Sequence, residues 1–331
     1  MKPFSSMTTQ GQTRRLRNLA IQALQSYPFT VTRLRLLSHE TNVLFCIHTQ
    51  EGDRWVLRIN QPEGGHTRDH IAAEVDWLAA LSRETSLKVP RPLAAKDGTL
   101  FIEAGVVGVP EKRICTIFSW VPGRNLGEHL SLARMVQLGE LSARLHAHSC
   151  TYQPPAGLNL LSFDRVFPFL EPVILFEEPW VSQFSPAQRL LFRQTIDRVQ
   201  TAIDQLKAGG ESMHILHGDL HPWNVRVSGG ALVPIDFEDL MWGWFIQDIA
   251  TTLYYFQDEA DFNARRIAFR QGYERIREYP DPTAGEVDAF IAARGLGLLN
   301  YVLNYPESVG LNPLEFATRI EKRLVKLFNT Q

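Results

Sequence analysis

The sequence is poor in cysteine and carries almost no net charge. Three cysteines, Cys46, Cys115 and Cys150, occur among 331 residues, and none belongs to a CxxC pair. This pattern argues against a disulfide framework and against a thiolate zinc site, and it fits a reducing cytoplasm. Lys and Arg total 34 and Asp and Glu total 36, a formal net charge of −2. The broad basic surface of a nucleic-acid binder is therefore absent, and we expect no nucleic-acid partner.

Long apolar runs and the common nucleotide-binding signatures are also missing. No stretch approaches the roughly 18 uncharged apolar residues of a membrane helix, since Arg294 interrupts the most apolar segment. The N-terminus lacks the apolar core of a signal peptide. No strand-linked GxGxxG and no GxxxxGK[ST] occurs, which argues against a dinucleotide fold and a P-loop. We expect a soluble cytoplasmic protein without a membrane partner.

Strand patterns dominate the first third of the chain. After an amphipathic helix at 13–26, strands are predicted by the Val, Leu, Ile and Phe content of 31–37, 43–49, 54–59, 99–104 and 112–118. The first three follow one another through short polar turns, which predicts an antiparallel meander. A further helix is predicted over 68–84, where apolar residues recur on one face.

Helical spacing dominates the rest of the chain. Helices are predicted over 131–148, 186–207, 246–256, 258–278, 284–304 and 313–328. Short strands are predicted at 214–217, 224–228 and 231–236, whereas the Phe-, Pro- and Trp-rich stretch 154–184 matches neither pattern. The order of elements predicts an α+β protein with a boundary near the Pro122-Gly123 turn.

Two short motifs carry the chemistry. The segment HGDLHPWNV (217–225) contains Asp219 and Asn224, and IDFED (235–239) places Asp236 after a short apolar strand. Phosphoryl transfer from a nucleotide uses such a set. One carboxylate orients the attacking hydroxyl and accepts its proton, while an amide oxygen and a second carboxylate hold Mg²⁺.

The spacing of these residues resembles a known group of enzymes. Asn224 follows Asp219 by five positions, as in the catalytic loop of protein kinases. The segment resembles the aminoglycoside phosphotransferase and choline kinase superfamily, and the resemblance extends to QDIATTLYYF (247–256), where Asp248 matches an aspartate that braces the catalytic loop. The resemblance implies a protein-kinase-like two-lobe fold, with an antiparallel-sheet N-lobe at 1–118 and a mainly helical C-lobe at 119–331.

The resemblance also assigns roles in the C-terminal lobe. Asp219 is implied to be the general base or orienting carboxylate, with His217 bracing its loop. Asn224 and Asp236 are implied to be Mg²⁺ ligands, and Glu238 is a candidate for contact with a second Mg²⁺. For His221 two roles stay open, since it could brace the loop or face the substrate.

In the N-terminal lobe the resemblance implies a clamp for ATP. Arg58 stands on a strand where the family usually has Lys, and Glu74 on the following helix stands where its partner glutamate is expected. Arg is permanently charged and can grip phosphate oxygens, so it can substitute for Lys there. Ser38 and Asn42, in the turn over the phosphates, are candidate phosphate donors, although turn capping explains them equally well.

Residues 118–123 (FSWVPG) resemble the hinge between the lobes of this superfamily. Main-chain groups of Ser119 and Val121 are therefore expected to pair with the adenine edge.

These residues predict an ATP- and Mg²⁺-dependent phosphotransferase that acts on a hydroxyl of a small molecule. The superfamily implies an aminoglycoside, choline, homoserine or a sugar-like compound as acceptor. Asp239 with Glu177 and Glu178 could form an acidic wall for an amine, or be solvated surface carboxylates. Two alternatives are a protein serine/threonine kinase of the bacterial stress-response type and a non-catalytic nucleotide-binding module, the latter suggested by Arg58. The sequence does not indicate an oligomeric state.

Overall fold

The computed structural model describes residues 2–61, 66–280 and 285–329. The chain forms two compact units. The first comprises Met1–Arg124, Tyr152–Asn159 and Arg226–Glu238. The second comprises Asn125–Thr151, Leu160–Val225 and Asp239–Gln331. The division of function between a nucleotide lobe (1–118) and an acceptor lobe (119–331) stays a prediction.

A five-stranded antiparallel sheet forms the centre of the first unit. Its strands are β1 (Val31–His39), β2 (Asn42–Thr49), β3 (Arg54–Asn60), β4 (Phe101–Ala104) and β5 (Arg113–Ser119). They lie in the order β1-β2-β3-β5-β4. The strands are rich in β-branched and aromatic residues, which suit a pleated surface that is partly buried.

Two helices accompany this sheet. Helix α1 (Thr9–Leu24) shares a core with the sheet through Leu16, Leu19 and Ala23, which recur at helical spacing and are almost fully buried. Helix α2 (Arg68–Glu84) is capped at its N-terminus by Thr67, whose hydroxyl accepts a hydrogen bond from the backbone N–H of His70.

A small β-hairpin in the segment Arg226–Glu238 also belongs to the first unit. Strands β8 (Val225–Ser228) and β9 (Ala231–Pro234) are joined by Gly229 and Gly230, whose φ angles are 57° and 85°. Positive φ at both turn residues is what the tight hairpin turns with the correct twist require. The hairpin thereby fixes the position at which β9 ends and Asp236 follows.

The second unit is mainly helical. Its helices are α3 (Leu132–Ser149), α4 (Trp180–Gln183), α5 (Pro186–Ala208), α6 (Phe245–Tyr254), α7 (Phe262–Glu274), α8 (Glu286–Asn304), α9 (Pro306–Val309) and α10 (Pro313–Asn329). Strands β7 (His214–Leu216) and β10 (Met241–Gly243) pair antiparallel within this unit.

Two glycines let helices α3 and α7 approach closely. A Cβ atom on Gly272 would lie 1.9 Å from the carbonyl oxygen of Val136, and one on Gly139 would lie 2.0 Å from that of Phe269. Larger side chains at either position would separate the helix backbones. This packing brings His146 of α3 to Tyr273 of α7, with 2.8 Å between Nδ1 and the phenol oxygen.

The predicted α+β class, with an antiparallel N-terminal sheet and a mainly helical C-terminal part, is confirmed. Helix α2 has the predicted bounds, but the helix predicted over 258–278 is shorter, because turns occupy both of its ends around α7. The unassigned stretch 154–184 is mostly irregular and contains only α4. Among the helices that the structure describes, none is both long and apolar enough to cross a membrane.

The strands that the sequence did not predict are very short. They are β6 (Arg124–Asn125) and β10. Two or three residues are too few to show an alternating pattern of polar and apolar side chains.

Candidate active site

A sharp turn after β7 carries the sequence His217-Gly218-Asp219. Gly218 has a φ of 80°, a conformation that glycine adopts without steric cost. A Cβ atom at this position would lie 2.1 Å from the carbonyl oxygen of Asp239. Both the backbone conformation and the close approach therefore require glycine immediately before Asp219.

The carboxylate of Asp219 accepts hydrogen bonds on both of its oxygens. Oδ2 lies 3.1 Å from Nδ2 of Asn224 and 3.3 Å from Nε2 of His221. Oδ1 accepts from Nη2 of Arg294, which comes from α8. Three donors from different directions therefore fix the plane of the carboxylate.

His221 braces the predicted catalytic loop, which carries Asp219. Its Nδ1 accepts hydrogen bonds from the backbone N–H groups of Trp223 and Asn224, at 3.1 and 3.2 Å. A nitrogen that accepts carries no proton, so these contacts assign the proton of a neutral imidazole to Nε2, which faces Asp219. Of the two roles predicted for His221, the structure displays the bracing one.

The surroundings of Asp219 favour its charged form. Burial opposes ionisation, but the charge of Arg294 and the hydrogen bond from His221 outweigh burial and hold the pKa of this carboxyl below its usual value. Asp219 is therefore ionised at neutral pH, as its predicted role of orienting carboxylate requires.

Asp248, at the start of α6, supports the backbone of the same loop. Its Oδ1 accepts from the backbone N–H of Gly218 at 3.0 Å, and its Oδ2 accepts from the backbone N–H of His217 at 3.4 Å. The side chain of His217 in turn accepts from the backbone N–H of Asp219 at 3.3 Å. Asp248 and His217 thus lie where the sequence placed braces of the catalytic loop.

Sequence reasoning missed a buried pair of residues behind Asp248. Nε2 of His146 lies 3.0 Å from Oδ2 of Asp248, and Nδ1 lies 2.8 Å from the Tyr273 hydroxyl. Burial lowers the pKa of His146, more strongly than the carboxylate of Asp248 raises it. A neutral His146 therefore donates to Asp248 and accepts from Tyr273. Partners 102 and 127 residues apart leave no local signal in the sequence.

Asn224 and Asp236 have the chemistry of magnesium ligands. The amide nitrogen of Asn224 donates to the backbone and side-chain oxygens of Asp219, at 3.0 and 3.1 Å, so the amide oxygen is the atom with which Asn224 would bind a metal ion. Asp236 has a φ of 65°, a left-handed conformation that non-glycine residues adopt mainly in turns and functional sites. Oxygen donors of these types suit Mg²⁺.

Protein ligands alone do not form a complete cage. Within residues 2–61, 66–280 and 285–329 no group of three or more His, Cys, Asp or Glu side chains is arranged to hold a metal ion. Mg²⁺ in kinases is bound by one or two protein oxygens together with phosphate and water, so it needs no such cage. The residues present therefore fit a metal ion that arrives with a nucleotide.

Arg58, Glu74 and Glu238 form a buried charged cluster in the first unit. Nη1 of Arg58 lies 2.9 Å from Oε1 of Glu74 and 3.4 Å from Oε2 of Glu238. The Arg58 and Glu74 side chains are 5% and 2% exposed. Burial opposes the charge of Arg58, but the two glutamates outweigh it and raise the arginine's pKa above its ordinary value. The pair expected from the sequence is formed, and its guanidinium also contacts Glu238.

Asn42 joins this cluster, whereas Ser38 lies elsewhere on the hairpin. Nδ2 of Asn42 donates to Glu238, and its Oδ1 accepts from Nδ2 of Asn60 at 3.2 Å. Ser38 is on β1, opposite Leu44 of β2. The two predicted phosphate donors are thus on neighbouring strands, and their contact with phosphate stays a prediction.

Ser119 and Val121 mark the end of the sheet. The backbone N–H of Ser119 donates to the carbonyl of Arg91 at 2.8 Å, and its hydroxyl accepts from the backbone N–H of Arg91 at 2.9 Å. Val121 lies just beyond β5 in an irregular segment. The N–H group of Ser119 is therefore already hydrogen-bonded, and contact of this segment with adenine stays a prediction.

A family model for the phosphotransferase enzyme family matches residues 33–279. This span runs from β1 to beyond α7 and contains both motifs. The chain belongs to the phosphotransferase enzyme family. The predicted membership and the predicted enzyme class are therefore confirmed.

Known proteins resemble this phosphotransferase in sequence and in fold. The amicoumacin kinase of Bacillus subtilis (strain 168) is 22% identical over 235 residues, which cover 70% of this chain and 66% of that protein. The match thus spans slightly less than two thirds of that relative's length.

Two solved structures show the same fold. A microcompartment-associated aminopropanol kinase superposes with a TM-score of 0.73 at 23% identity, covering 94% of this chain and 95% of its own. An amicoumacin kinase in complex with AMP-PNP and Ca²⁺ superposes with a TM-score of 0.76 at 18% identity, covering 98% and 97%. The predicted kinase-like fold is confirmed.

Proposed function

We propose that this phosphotransferase transfers the γ-phosphoryl group of ATP to a hydroxyl of a small molecule, with Mg²⁺. The main support for the proposal is the set of contacts to Asp219, whose ionised carboxylate is fixed by Asn224, His221 and Arg294. A carboxylate held in this way is preorganised to orient a hydroxyl for attack.

In this reaction the acceptor oxygen forms a bond to the γ-phosphorus. The bond from that phosphorus to the bridging oxygen of ADP breaks, and the hydroxyl proton passes to Asp219. His217 and Asp248 hold the backbone of the catalytic loop while this happens, through the contacts to Asp219, Gly218 and His217 described above.

We assign the amide oxygen of Asn224 and the carboxylate of Asp236 as protein ligands of Mg²⁺. When bound, Mg²⁺ would offset the charge of the β- and γ-phosphates. Glu238 is a candidate for a second metal contact, in competition with its present partners Arg58 and Asn42.

The first unit supplies the residues proposed to bind the nucleotide. Arg58 retains a permanent positive charge beside Glu74, which suits it to offset phosphate charge. Ser38 and Asn42 are the proposed phosphate donors, and the main chain at Ser119 and Val121 is proposed to contact adenine.

An amine-bearing alcohol is the acceptor class that the surroundings favour. Burial, and then the charges of Glu171, Tyr305 and Asp239, raise the pKa of the half-buried Tyr301, so acidic groups lie near this aromatic side chain in the second unit. Glu177 and Glu178 are exposed, and Glu178 accepts from Ser182, so they fit solvated surface carboxylates. Two similar proteins are named as kinases of amicoumacin and aminopropanol, so these are the first compounds to test.

The test is ADP release from Mg·ATP with a panel of acceptors. The panel contains aminopropanol, amicoumacin, aminoglycosides, choline, ethanolamine, homoserine, methylthioribose and casein. We expect turnover with one small molecule and none after removal of Mg²⁺. Phosphorylation of casein alone would favour the protein-kinase alternative, and ATP binding without turnover would favour the non-catalytic module.

A further inference from the structure

Arg294 links helix α8 to the catalytic loop. Its Nη2 donates to Oδ1 of Asp219 and, at 2.8 Å, contacts the hydroxyl of Tyr255. The guanidinium carbon lies 5.7 Å from the centroid of the Tyr255 ring. The side chain is 12% exposed, so its stem is fixed by packing and its head by polar contacts.

The direction of this contact distinguishes it from the other two. Asn224 and His221 belong to the same loop as Asp219 and hold Oδ2. Arg294 is 75 residues away in sequence and holds Oδ1 from a separate helix. The loop contacts move with the loop, whereas the arginine sets the carboxylate relative to α8.

Tyr255 completes a ring of contacts around the carboxylate. The centroid of its ring lies 4.7 Å from the centroid of the His221 ring, and its hydroxyl accepts a hydrogen bond from Arg294. A change in the orientation of Asp219 would therefore disturb His221, Tyr255 and Arg294 together. Such mutually supporting contacts give a catalytic group the precise geometry that it needs.

We propose that Arg294 is a positioning residue, which holds the carboxylate of Asp219 in the orientation that receives the acceptor hydroxyl. The inference rests on the proposed function, and nothing in the family's motifs at 217–248 marks this residue. Arg294 is proposed to act through Asp219, without contact to the transferred phosphoryl group.

Among the described residues, the second unit contains a matched arginine that makes no direct contact with the catalytic loop. Arg323 on α10 is also 12% exposed, pairs with Asp258 and lies 4.7 Å from the ring centroid of Tyr254. Arg323→Ala therefore removes a similar aspartate and tyrosine contact, and it serves as the control for Arg294→Ala.

The experiment compares these two variants with Arg294→Lys, using the acceptor that gives turnover in the panel. We expect Arg294→Ala to lower kcat by about 10²-fold, because small misplacements of catalytic groups cost that much. The KM for ATP should stay near the wild-type value, and Arg294→Lys should recover part of kcat. Added guanidinium ion, below denaturing concentrations, should restore turnover in Arg294→Ala but not in Asp219→Asn.

Equal kcat values for Arg294→Ala and Arg323→Ala would overturn the proposal. So would loss of ADP binding together with kcat, since that indicates a folding defect. If the wild-type protein gave no turnover with any acceptor, that result would instead count against the proposed function. In that case thermal unfolding of Arg294→Ala, Asp219→Asn and the double variant still tests the contact, and additive effects would refute it.

Discussion

At the scale of single residues, one substitution can remove the proposed proton acceptor at Asp219 without changing the shape of the side chain. Asp219→Asn keeps the size of the side chain but removes the proton acceptor. We expect kcat to fall by about 10²–10⁴-fold, the usual contribution of general-base assistance, with ADP affinity largely unchanged. Steady-state ADP release and calorimetric titration with ADP measure the two quantities.

The control is Asp164→Asn, at an aspartate that pairs with Arg165 on the surface. It should leave kcat unchanged. An Asp219→Asn variant as active as this control would contradict the assigned role.

Removal of the Arg58 side chain should strongly destabilise the first unit. Arg58→Ala leaves Glu74, which is 2% exposed, without its charged partner. Breaking a buried pair on one side costs about 3–5 kcal/mol, because the remaining charge is uncompensated. Unfolding in urea measures the loss.

The matched change is Arg68→Ala, in a pair with Glu103 whose side chains are 61% and 46% exposed. Exposed pairs contribute only about 0–1 kcal/mol, so this variant should be nearly neutral. Similar losses for the two variants would show that Arg58 is not balanced by Glu74 as described.

At the scale of the elements, the contact between α3 and α7 rests on glycine. A Cβ atom on Gly272 would meet the Val136 carbonyl at 1.9 Å, so Gly272→Ala must push the helices apart. We expect a loss of about 1–3 kcal/mol or more, as for other overpacked interiors. The same shift separates Tyr273 from His146, so kcat should fall as well.

Gly297→Ala on α8 is the control, since a Cβ atom there has nothing within 4 Å. Alanine is the better helix former by about 0.5–1 kcal/mol, so this variant should gain stability. Urea unfolding of both variants provides the comparison. A stabilised Gly272→Ala variant would contradict the close helix packing.

Elements with a clear local pattern were predictable from the sequence. The apolar stripe of α2 predicted its bounds, and the apolar content of β2 and β3, with the short polar turns around them, predicted the antiparallel meander. The catalytic loop was found because Asp219 and Asn224 are only five positions apart.

Contacts between distant segments were not predictable. Arg294 lies 75 residues from its partner Asp219, and His146 lies 102 residues from its partner Asp248. Neither residue has a local pattern that distinguishes it from other helical residues. In the sequence Arg294 appeared only as a charge in an apolar helix. Its partner became visible when the fold placed α8 beside the catalytic loop.

At the scale of the whole molecule, the lowered pKa of His146 predicts how the free energy of unfolding depends on pH. Burial lowers the pKa of His146 below its value of 6.5 in an unfolded chain. Between the two values the unfolded chain binds more protons, so unfolding becomes easier as pH falls below 6.5. The pKa of Asp248 is also lowered, despite its burial, by His146, and its contribution is lost only at more acidic pH.

The free energy of unfolding should therefore fall between about pH 7 and pH 5, by up to roughly 1.4 kcal/mol per pH unit for each such group. His146→Gln should flatten this slope. Tyr273→Phe keeps the histidine and should keep the slope, although it lowers stability. A slope unchanged in His146→Gln would show that this residue does not titrate as described.

A single-turnover experiment with ATP labelled in its γ-phosphoryl group shows where this phosphotransferase delivers that group. Excess enzyme, Mg²⁺ and the acceptor found in the panel are mixed, and the products are separated by chromatography. We predict label in a phosphorylated small molecule for the wild type, and label remaining in ATP for Asp219→Asn. Label appearing only in inorganic phosphate or on protein, or remaining in ATP with the wild type, would contradict it.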